Sequence, residues 1–576
     1  MLRFCKQIMS VAAFLLAATG ISFSQNALNI PPALTGTVFN LNVQSGTQTF
    51  YGSTATPTYG INGAWMAPTI IVNKGDSITL NVINNLNTFT TIHWHGLHVA
   101  PENDGGPHQI INVNSTWSPS FKVRNDAATY WYHPHGNNKT DLHVSKGLAG
   151  MFIVKDSAEA AIVLPRTYGV DDFPVIIQSK AFDVLKQIAI ATEDDTALFV
   201  NGTLHPYLDA PAQVIRLRLL NGSSMRSYYL GFTANQSFKI IGSDDGLLDT
   251  AITATRIRIS PGERYEILLD LQGMTNQNVF LKNFGSELPN GIYGAATVGI
   301  GADTIPYYSN NFLNGADYDI LQLNVVPQTA SPVTTIPTLL VPNTTWDSAL
   351  VNTTRTFYLE ANGLNQKAEG PFNINGNQFD MNVVNVITYK NNIEIWEWVN
   401  NTLVAHPIHI HGVHFYILSI NGNPPPSFEA DKKDVVLVMP GDTVKFITQF
   451  EDFANDSIPY MYHCHMLHDE DDGMMGSFVV LDTTDAEIAE IKQDFFNLKV
   501  FPNPSNNSWN IEGNTTDRKL NVQVFNVLGK MIKEEKYFLT DDHFSFNIHC
   551  SIFPSGVYFL KIKNQKLVQT IRIIKI

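Results

Sequence analysis

Val435-Val436-Leu437-Val438-Met439-Pro440-Gly441-Asp442 is an apolar run rich in β-branched residues, closed by a Pro-Gly-Asp turn. Branched side chains fit a pleated, half-buried surface, and Pro-Gly sets a tight reversal, so the run reads as a strand that ends in a turn. The same turn occurs as Ser260-Pro261-Gly262-Glu263 and, with Lys in place of Pro, as Asn73-Lys74-Gly75-Asp76. Comparable runs recur along the chain: Ser77 to Val82, Thr116 to Val123, Val214 to Leu220, Arg256 to Ile259, Tyr265 to Leu269 and Glu394 to Val399. Such strands between Asn-Gly, Gly-Asp and Pro-Gly punctuation predict antiparallel β-sandwiches. Three like turns, each more than 150 residues from the next, imply three sandwiches of one kind.

Length and composition agree. A chain of 576 residues exceeds what one hydrophobic core serves, and 44% hydrophobic against 15% charged residues excludes extended disorder. The net charge of −15 argues against nucleic acid as a partner. Three cysteines beside seventeen histidines exclude a disulfide-stapled scaffold and any site built on four thiolates. Arg3 and Lys6, the apolar run Val11 to Thr19, and Ser22 and Ser24 follow the order of a secretory signal peptide, residues 1–24. That run is short of the roughly 20 apolar residues of a membrane span, so an exported rather than an integral membrane protein is expected.

The sandwiches are expected at 25–160, 161–325 and 351–483, with 326–350, Thr- and Pro-rich from Val326 to Pro342, as the connection between the last two. Thr484 to Glu487 is a capping box, which predicts a linker helix over 484–496. From 497 to 576 eleven Lys and Arg stand against six Asp and Glu. That segment carries +5 and the remainder −20, as expected of a separate fourth unit with a separate job.

Histidine is where the chemistry concentrates. Four His-x-His pairs occur: His93 and His95, His133 and His135, His409 and His411, His463 and His465. Residues two apart in a strand project from one face, so each pair offers two imidazoles to one ligand. Cys464, between His463 and His465, must point the other way, and His406 is an odd step from His409 and His411. Eight imidazoles therefore converge on one side, and Cys464 with His406 on the other. Thiolate, imidazole and a distant methionine, here Met474, are the ligand set of a blue-copper site. Eight imidazoles are too many for one closed zinc site, so several ions are expected, and imidazole suits copper.

His93-Trp94-His95-Gly96, Trp131-Tyr132-His133-Pro134-His135, His406-Pro407-Ile408-His409-Ile410-His411-Gly412 and Tyr462-His463-Cys464-His465 resemble the four copper motifs of three-domain multicopper oxidases. This laccase-like group includes bacterial cuprous oxidases, spore-coat laccases and bilirubin oxidases. The resemblance covers about Leu28 to Leu481. It implies an all-β chain of three consecutive cupredoxin-like Greek-key β-sandwiches holding four copper ions. It further implies type 2 copper on His93 and His409, and a type 3 pair on His95, His133, His135, His411, His463 and His465. Type 1 copper falls to His406 and Cys464, with Met474 as the long axial ligand. The implied activity is one-electron oxidation of phenols, aromatic amines or metal ions, coupled to four-electron reduction of O2 to water. Asp104 and Glu470 match acidic positions that the family uses for proton relay at the oxygen-reducing cluster. The middle sandwich, with only His205, reads as a copper-free spacer, and His98, His108, His143 and His414 read as supporting or surface histidines.

The family places a second type 1 histidine five residues after the cysteine and the axial residue ten after it. Met474 is at ten, but Asp469 is at five and His468 at four. The preferred reading shifts the loop by one residue so that His468 ligates, since cupredoxin ligand loops vary in length. The alternative is Asp469, a hard carboxylate that suits Cu(II) and either lowers the potential and weakens the blue colour or leaves the site partly empty. The acidic run Asp469 to Asp472 reads either as a solvated loop or as an attractor of cationic donors.

Val500-Phe501-Pro502-Asn503-Pro504, Val524-Phe525-Asn526-Val527-Leu528-Gly529-Lys530 and Pro554-Ser555-Gly556-Val557-Tyr558-Phe559-Leu560-Lys561 resemble the type A C-terminal sorting domain of type IX secretion in Bacteroidetes. The resemblance implies a small C-terminal β-sandwich recognised by the outer-membrane machinery, and a product that is secreted or held at the cell surface. A redox-silent, copper-binding scaffold of the same fold is the competing function.

Overall fold

The computed structural model describes residues 25–190, 194–299, 305, 308–362, 370–482, 496–515, 517–526, 530–564 and 568–576. The expected signal peptide at 1–24 lies outside them. So does the expected linker helix, except at its last position, where strand Phe496–Phe501 begins. The chain forms two compact units, Met1–Leu481 and Asp482–Ile576.

The larger unit holds three pairs of sheets, each pair closed over its own core. In the first, the sheet of Ala55–Ile61, Val38–Thr49, Ser77–Asn84 and Thr116–Trp117 faces that of Ala33–Thr35, Thr69–Asn73, Gly150–Lys155, Ala128–His133 and His93–His95. Phe39, Leu41, Leu80, Trp94, Tyr132 and Phe152 fill the space between them. The second pair encloses Val175, Leu217, Tyr228, Ile267 and Leu323. The third encloses Trp396, Trp398, Ile408, Phe446, Tyr462 and Phe478. Alternation explains the packing: in Ser77–Asn84, Ile78, Leu80 and Val82 turn inward and the residues between them face outward. The architecture is the expected all-β, cupredoxin-like one.

Pairing is mixed rather than purely antiparallel. Val38–Thr49 runs parallel to Ser77–Asn84, Thr69–Asn73 to Gly150–Lys155, and Thr353–Ala361 to Ile393–Asn400. A chain that crosses to the facing sheet before returning, as Greek-key connections do, re-enters alongside its first strand in the same direction. The three repeated turns are real structural equivalents: Gly75, Gly262 and Gly441 have φ of +96°, +85° and +78°, a region that only glycine occupies freely.

The connection after strand Asp317–Val326 runs over the middle sandwich, where Val333, Ile336 and Leu340 pack on Leu164, Val214 and Ile241. In the smaller unit a three-stranded sheet (Phe496–Phe501, Ser508–Asn514, His543–His549) and a four-stranded sheet (Met531–Phe538, Lys519–Asn526, Gly556–Lys563, Val568–Lys575) share a core of Trp509, Ile511, Val522, Phe544 and Leu560. Cys550 is buried in that core as a free thiol. No helix among the described residues is long and apolar enough to cross a membrane.

Candidate metal centre

The eight paired histidines come together at the junction of the first and third sandwiches, all of them buried. Strands His93–His95 and Ala128–His133 pair in register, with His93 opposite His133. His406–Ile410 pairs with Asn455–Cys464, so that His409 lies opposite His463 and Ile408 opposite Cys464. That register carries the strand parity across the sheet: His409 and His463 project to one face, Cys464 to the other.

The rings sort into groups whose ligand atoms lie within 4.8 Å of one another: His95, His133 and His465; His135, His411 and His463; and His409 with His93 and His95. Within them nitrogen faces nitrogen. His463 Nε2 lies 3.2 Å from both His135 Nε2 and His411 Nε2, and His95 Nδ1 lies 3.1 Å from His465 Nε2 and 3.4 Å from His133 Nε2. His93 Nε2 and His409 Nε2 are buried with no partner. Burial first, and repulsion among the rings second, holds His95, His135, His409, His411 and His465 well below the usual imidazole range, and burial brings His463 down to about 3. Neutral imidazoles with converging lone pairs are the state that binds metal, and this donor set fits copper.

Other ring nitrogens are anchored, which fixes the rings in place. His93 Nδ1 donates to the Asp104 carbonyl (2.9 Å), His409 Nδ1 to the Asp434 carbonyl (2.8 Å) and His133 Nδ1 to the Pro134 carbonyl (2.9 Å). Asp104 Oδ2 accepts from His411 Nδ1 at 2.8 Å, while its Oδ1 lies 3.5 Å from His93 Nδ1. Glu470 lies between two rings of one group, 3.2 Å from His135 Nδ1 and 3.2 Å from His463 Nδ1, and accepts from Thr140 Oγ1 at 2.6 Å. Burial pushes its carboxyl well up.

On the opposite face of the Cys464 strand, His406 Nδ1 lies 3.5 Å from Cys464 Sγ. Asp469 Oδ2 closes the group at 3.4 Å from Sγ and 3.1 Å from His406 Nδ1. Burial, with the Asp469 carboxylate beside it, pushes the Cys464 thiol up, so an ion entering here must displace a proton. Met474 is fully buried in the same core as Cys464, and its backbone carbonyl accepts from Cys464 N–H at 3.1 Å.

The structure places His468, the preferred reading, away from Cys464. Leu467–Asp471 forms a turn of helix, in which neighbouring residues point about 100° apart. Asp469 faces Cys464 and Glu470 faces the histidines. The His468 ring is turned outward, with 30% of its side chain exposed and its nearest carboxylate, Asp472 Oδ2, at 3.7 Å. The same turn leaves only Asp472 of the acidic run exposed. Asp469 and Glu470 are buried, and Asp471 receives the backbone N–H groups of Thr140 and Asp141.

Three residues of the centre lie outside the histidine motifs. Asp434 Oδ1 lies 3.3 Å from His95 Nε2, and its two oxygens accept from both terminal nitrogens of Arg264 at 2.6 Å. Gly262, in the repeated turn of the middle sandwich, lies against the His465 ring: a Cβ there would sit 2.8 Å from His465 Cγ. The middle sandwich, read as a spacer, thus shapes the centre through Gly262 and Arg264. Of the remaining histidines, His143 meets Thr90 Oγ1 at 3.1 Å, His108 meets the Met381 carbonyl at 3.1 Å, and His414 stacks on Trp346.

The chain is similar in sequence and fold to known proteins. Family models described as multicopper oxidase match residues 42–159, 202–298 and 346–484, and one described as a secretion system C-terminal sorting domain matches 499–576. A multicopper oxidase of Staphylococcus haemolyticus is 35% identical over 457 residues, covering 77% of this chain and 88% of the relative. The cell division protein FtsP of Photorhabdus laumondii is 32% identical, covering 79% and 93%. Among solved structures, a laccase-like multicopper oxidase from a lignin-degrading Ochrobactrum species is 30% identical, with a TM-score of 0.69 and coverage of 79% of this chain and 100% of that one.

Proposed function

The chain belongs to the multicopper oxidase family, and on that premise we propose that it is an exported oxidase coupling one-electron oxidation of small donors to the reduction of O2 to water. The observation that carries this reading is the segment His463-Cys464-His465: its cysteine belongs to one ligand group and its flanking histidines to the two imidazole triads. Copper bound at these groups would take electrons singly at the cysteine side and deliver four of them to O2 at the imidazole side. His406, Cys464 and Met474 hold the outer site. His93 and His409 hold the type 2 position, and His95, His133 and His465 with His135, His411 and His463 hold the type 3 pair. Asp104 and Glu470 fix rings from all four paired motifs and lie where protons for the two waters are needed.

The matching test is copper stoichiometry with visible and EPR spectra, together with oxygen uptake on a hydroquinone donor. Four copper ions per chain and four donor electrons consumed per O2 are expected. The scaffold reading draws on the relatives named as a cell division protein; full copper loading with no oxygen uptake on any donor would favour it. The complete set of eight imidazoles and Cys464 stands against it.

Residues 497–576 serve as the type IX export signal, a reading supported by the match to a sorting domain. Truncation after Asp494 then abolishes passage of the outer membrane and leaves the oxidase unit in the periplasm; unchanged export refutes this role.

A further inference from the structure

We infer that the carboxylate of Asp469 would join His406 and Cys464 in holding the outer copper, and that it restricts the donors to strongly reducing aromatics of the hydroquinone class. The inference rests on the oxidase reading above and deepens it. Cys464 Sγ, His406 Nδ1 and Asp469 Oδ2 form a closed triangle with sides of 3.5, 3.4 and 3.1 Å. Donor atoms bound to one ion at about 2.0–2.3 Å are separated by about 3–4 Å, so all three sides fit a shared ion.

Each corner is held from behind. Thr402 Oγ1 lies 2.9 Å from His406 Nε2 and leaves Nδ1 to the triangle. The Met466 N–H points at Cys464 Sγ from 3.4 Å. The Asp469 carbonyl accepts from Met474 N–H at 2.9 Å, which ties the carboxylate-bearing turn to Met474. His468 cannot take the corner without unwinding Leu467–Asp471, and that would also withdraw Glu470 from His135 and His463.

The chemical consequence follows from charge. Imidazole is neutral, whereas a carboxylate brings a full negative charge into a site where Asp469 is 4% exposed and His406 and Cys464 are fully buried. A buried anion in contact with the ion favours Cu(II) over Cu(I) and lowers the reduction potential. Donors must then be stronger reductants than those that a site with two imidazoles oxidises. Hydroquinones meet this condition. Each gives up one electron and one proton to become a semiquinone, and four such steps supply the four electrons and four protons that turn one O2 into two waters. Monophenols, with higher potentials, are poor donors.

The test compares full-length, copper-loaded parent with Asp469→His, Asp469→Asn and His468→Ala. Asp469→His is expected to intensify the thiolate-to-copper absorption band, raise the outer-site potential in a redox titration, and raise kcat/KM for guaiacol relative to hydroquinone by about tenfold or more. Asp469→Asn is expected to lose the outer-copper EPR signal while keeping the inner copper, and His468→Ala to match the parent throughout. An unchanged band and potential in Asp469→Asn, or the loss of both in His468→Ala, overturns the ligand assignment. A raised potential with an unchanged donor ratio overturns the donor class. Failure of parent and Asp469→His alike to consume oxygen, with the spectral shifts present, overturns the oxidase reading and leaves the ligand assignment standing.

Discussion

Gly262→Ala tests whether the middle sandwich shapes the histidine centre. Gly262 has φ of +85°, and a Cβ added there would stand 2.8, 2.9 and 3.0 Å from Cγ, Cδ2 and Nδ1 of His465. Two costs arise. Holding alanine in left-handed backbone costs about 1–2 kcal/mol, and forcing a methyl group into the imidazole is overpacking of about 1–3 kcal/mol. Neither unfolds a unit of this size, so the strain is relieved by moving His465, which belongs to the group with His95 and His133. Gly441→Ala is the matched control. It occupies the equivalent turn of the third sandwich at φ +78°, with nothing within 4 Å of the added methyl, and carries only the backbone cost. The assays are thermal unfolding, copper content and oxygen uptake on the copper-loaded protein. Both variants are expected to lose stability, Gly262→Ala by about 1–3 kcal/mol more. Only Gly262→Ala is expected to lose inner-cluster copper and oxygen uptake while keeping the Cys464 absorption band. If the two variants match in copper content and uptake, the contact between Gly262 and His465 has no bearing on the centre and the reasoning fails.

Asp434→Ala removes one side of a fully buried pair with Arg264; a loss of about 3–5 kcal/mol in denaturant unfolding is expected, because the guanidinium is left buried and less well compensated. Glu470→Gln keeps the shape between His135 and His463 but removes the exchangeable carboxyl. In anaerobic stopped flow the outer copper should still be reduced at the parental rate, while reoxidation by O2 slows by about a hundredfold, the usual worth of a positioned proton donor. Lys180 is buried against the Ser145 carbonyl (2.9 Å), and burial lowers its ammonium to about 7. Its folded pKa is below its unfolded value, so from about pH 7 to about pH 10 the unfolded chain holds the extra proton and stability rises with pH. The unfolding free energy of Lys180→Met should therefore rise less steeply over that window than the parent's.

What the sequence made legible is what period-two geometry carries. His463 and His465 share a face and Cys464 takes the other because the segment enters as a strand, Asn455–Cys464, and the same parity separates His406 from His409 and His411. A pattern of that kind is local, so it survives without knowledge of the fold. The reading fails where the period changes. After His465 the chain turns into the helix Leu467–Asp471, and the side facing the metal is set by a rotation of about 100° per residue rather than by alternation. Alternation counted from Cys464 cannot then tell whether the fourth or the fifth residue faces inward, and the family spacing points to the fifth, where Asp469 stands in place of histidine. That choice is fixed by Glu470, which must reach His135 and His463, and by Asp471, which caps Thr140 and Asp141 of the first sandwich. Asp434, Arg264 and Gly262 were illegible for a related reason. Arg264 meets Asp434 across 170 positions of chain and Gly262 meets His465 across more than 200, and neither residue type is a metal ligand that would draw notice. Their roles exist only once three sandwiches close around one centre. For that reason the histidine centre could be named from its residues, while the groups that hold those residues and the inward turn of Asp469 could be read only from the folded chain.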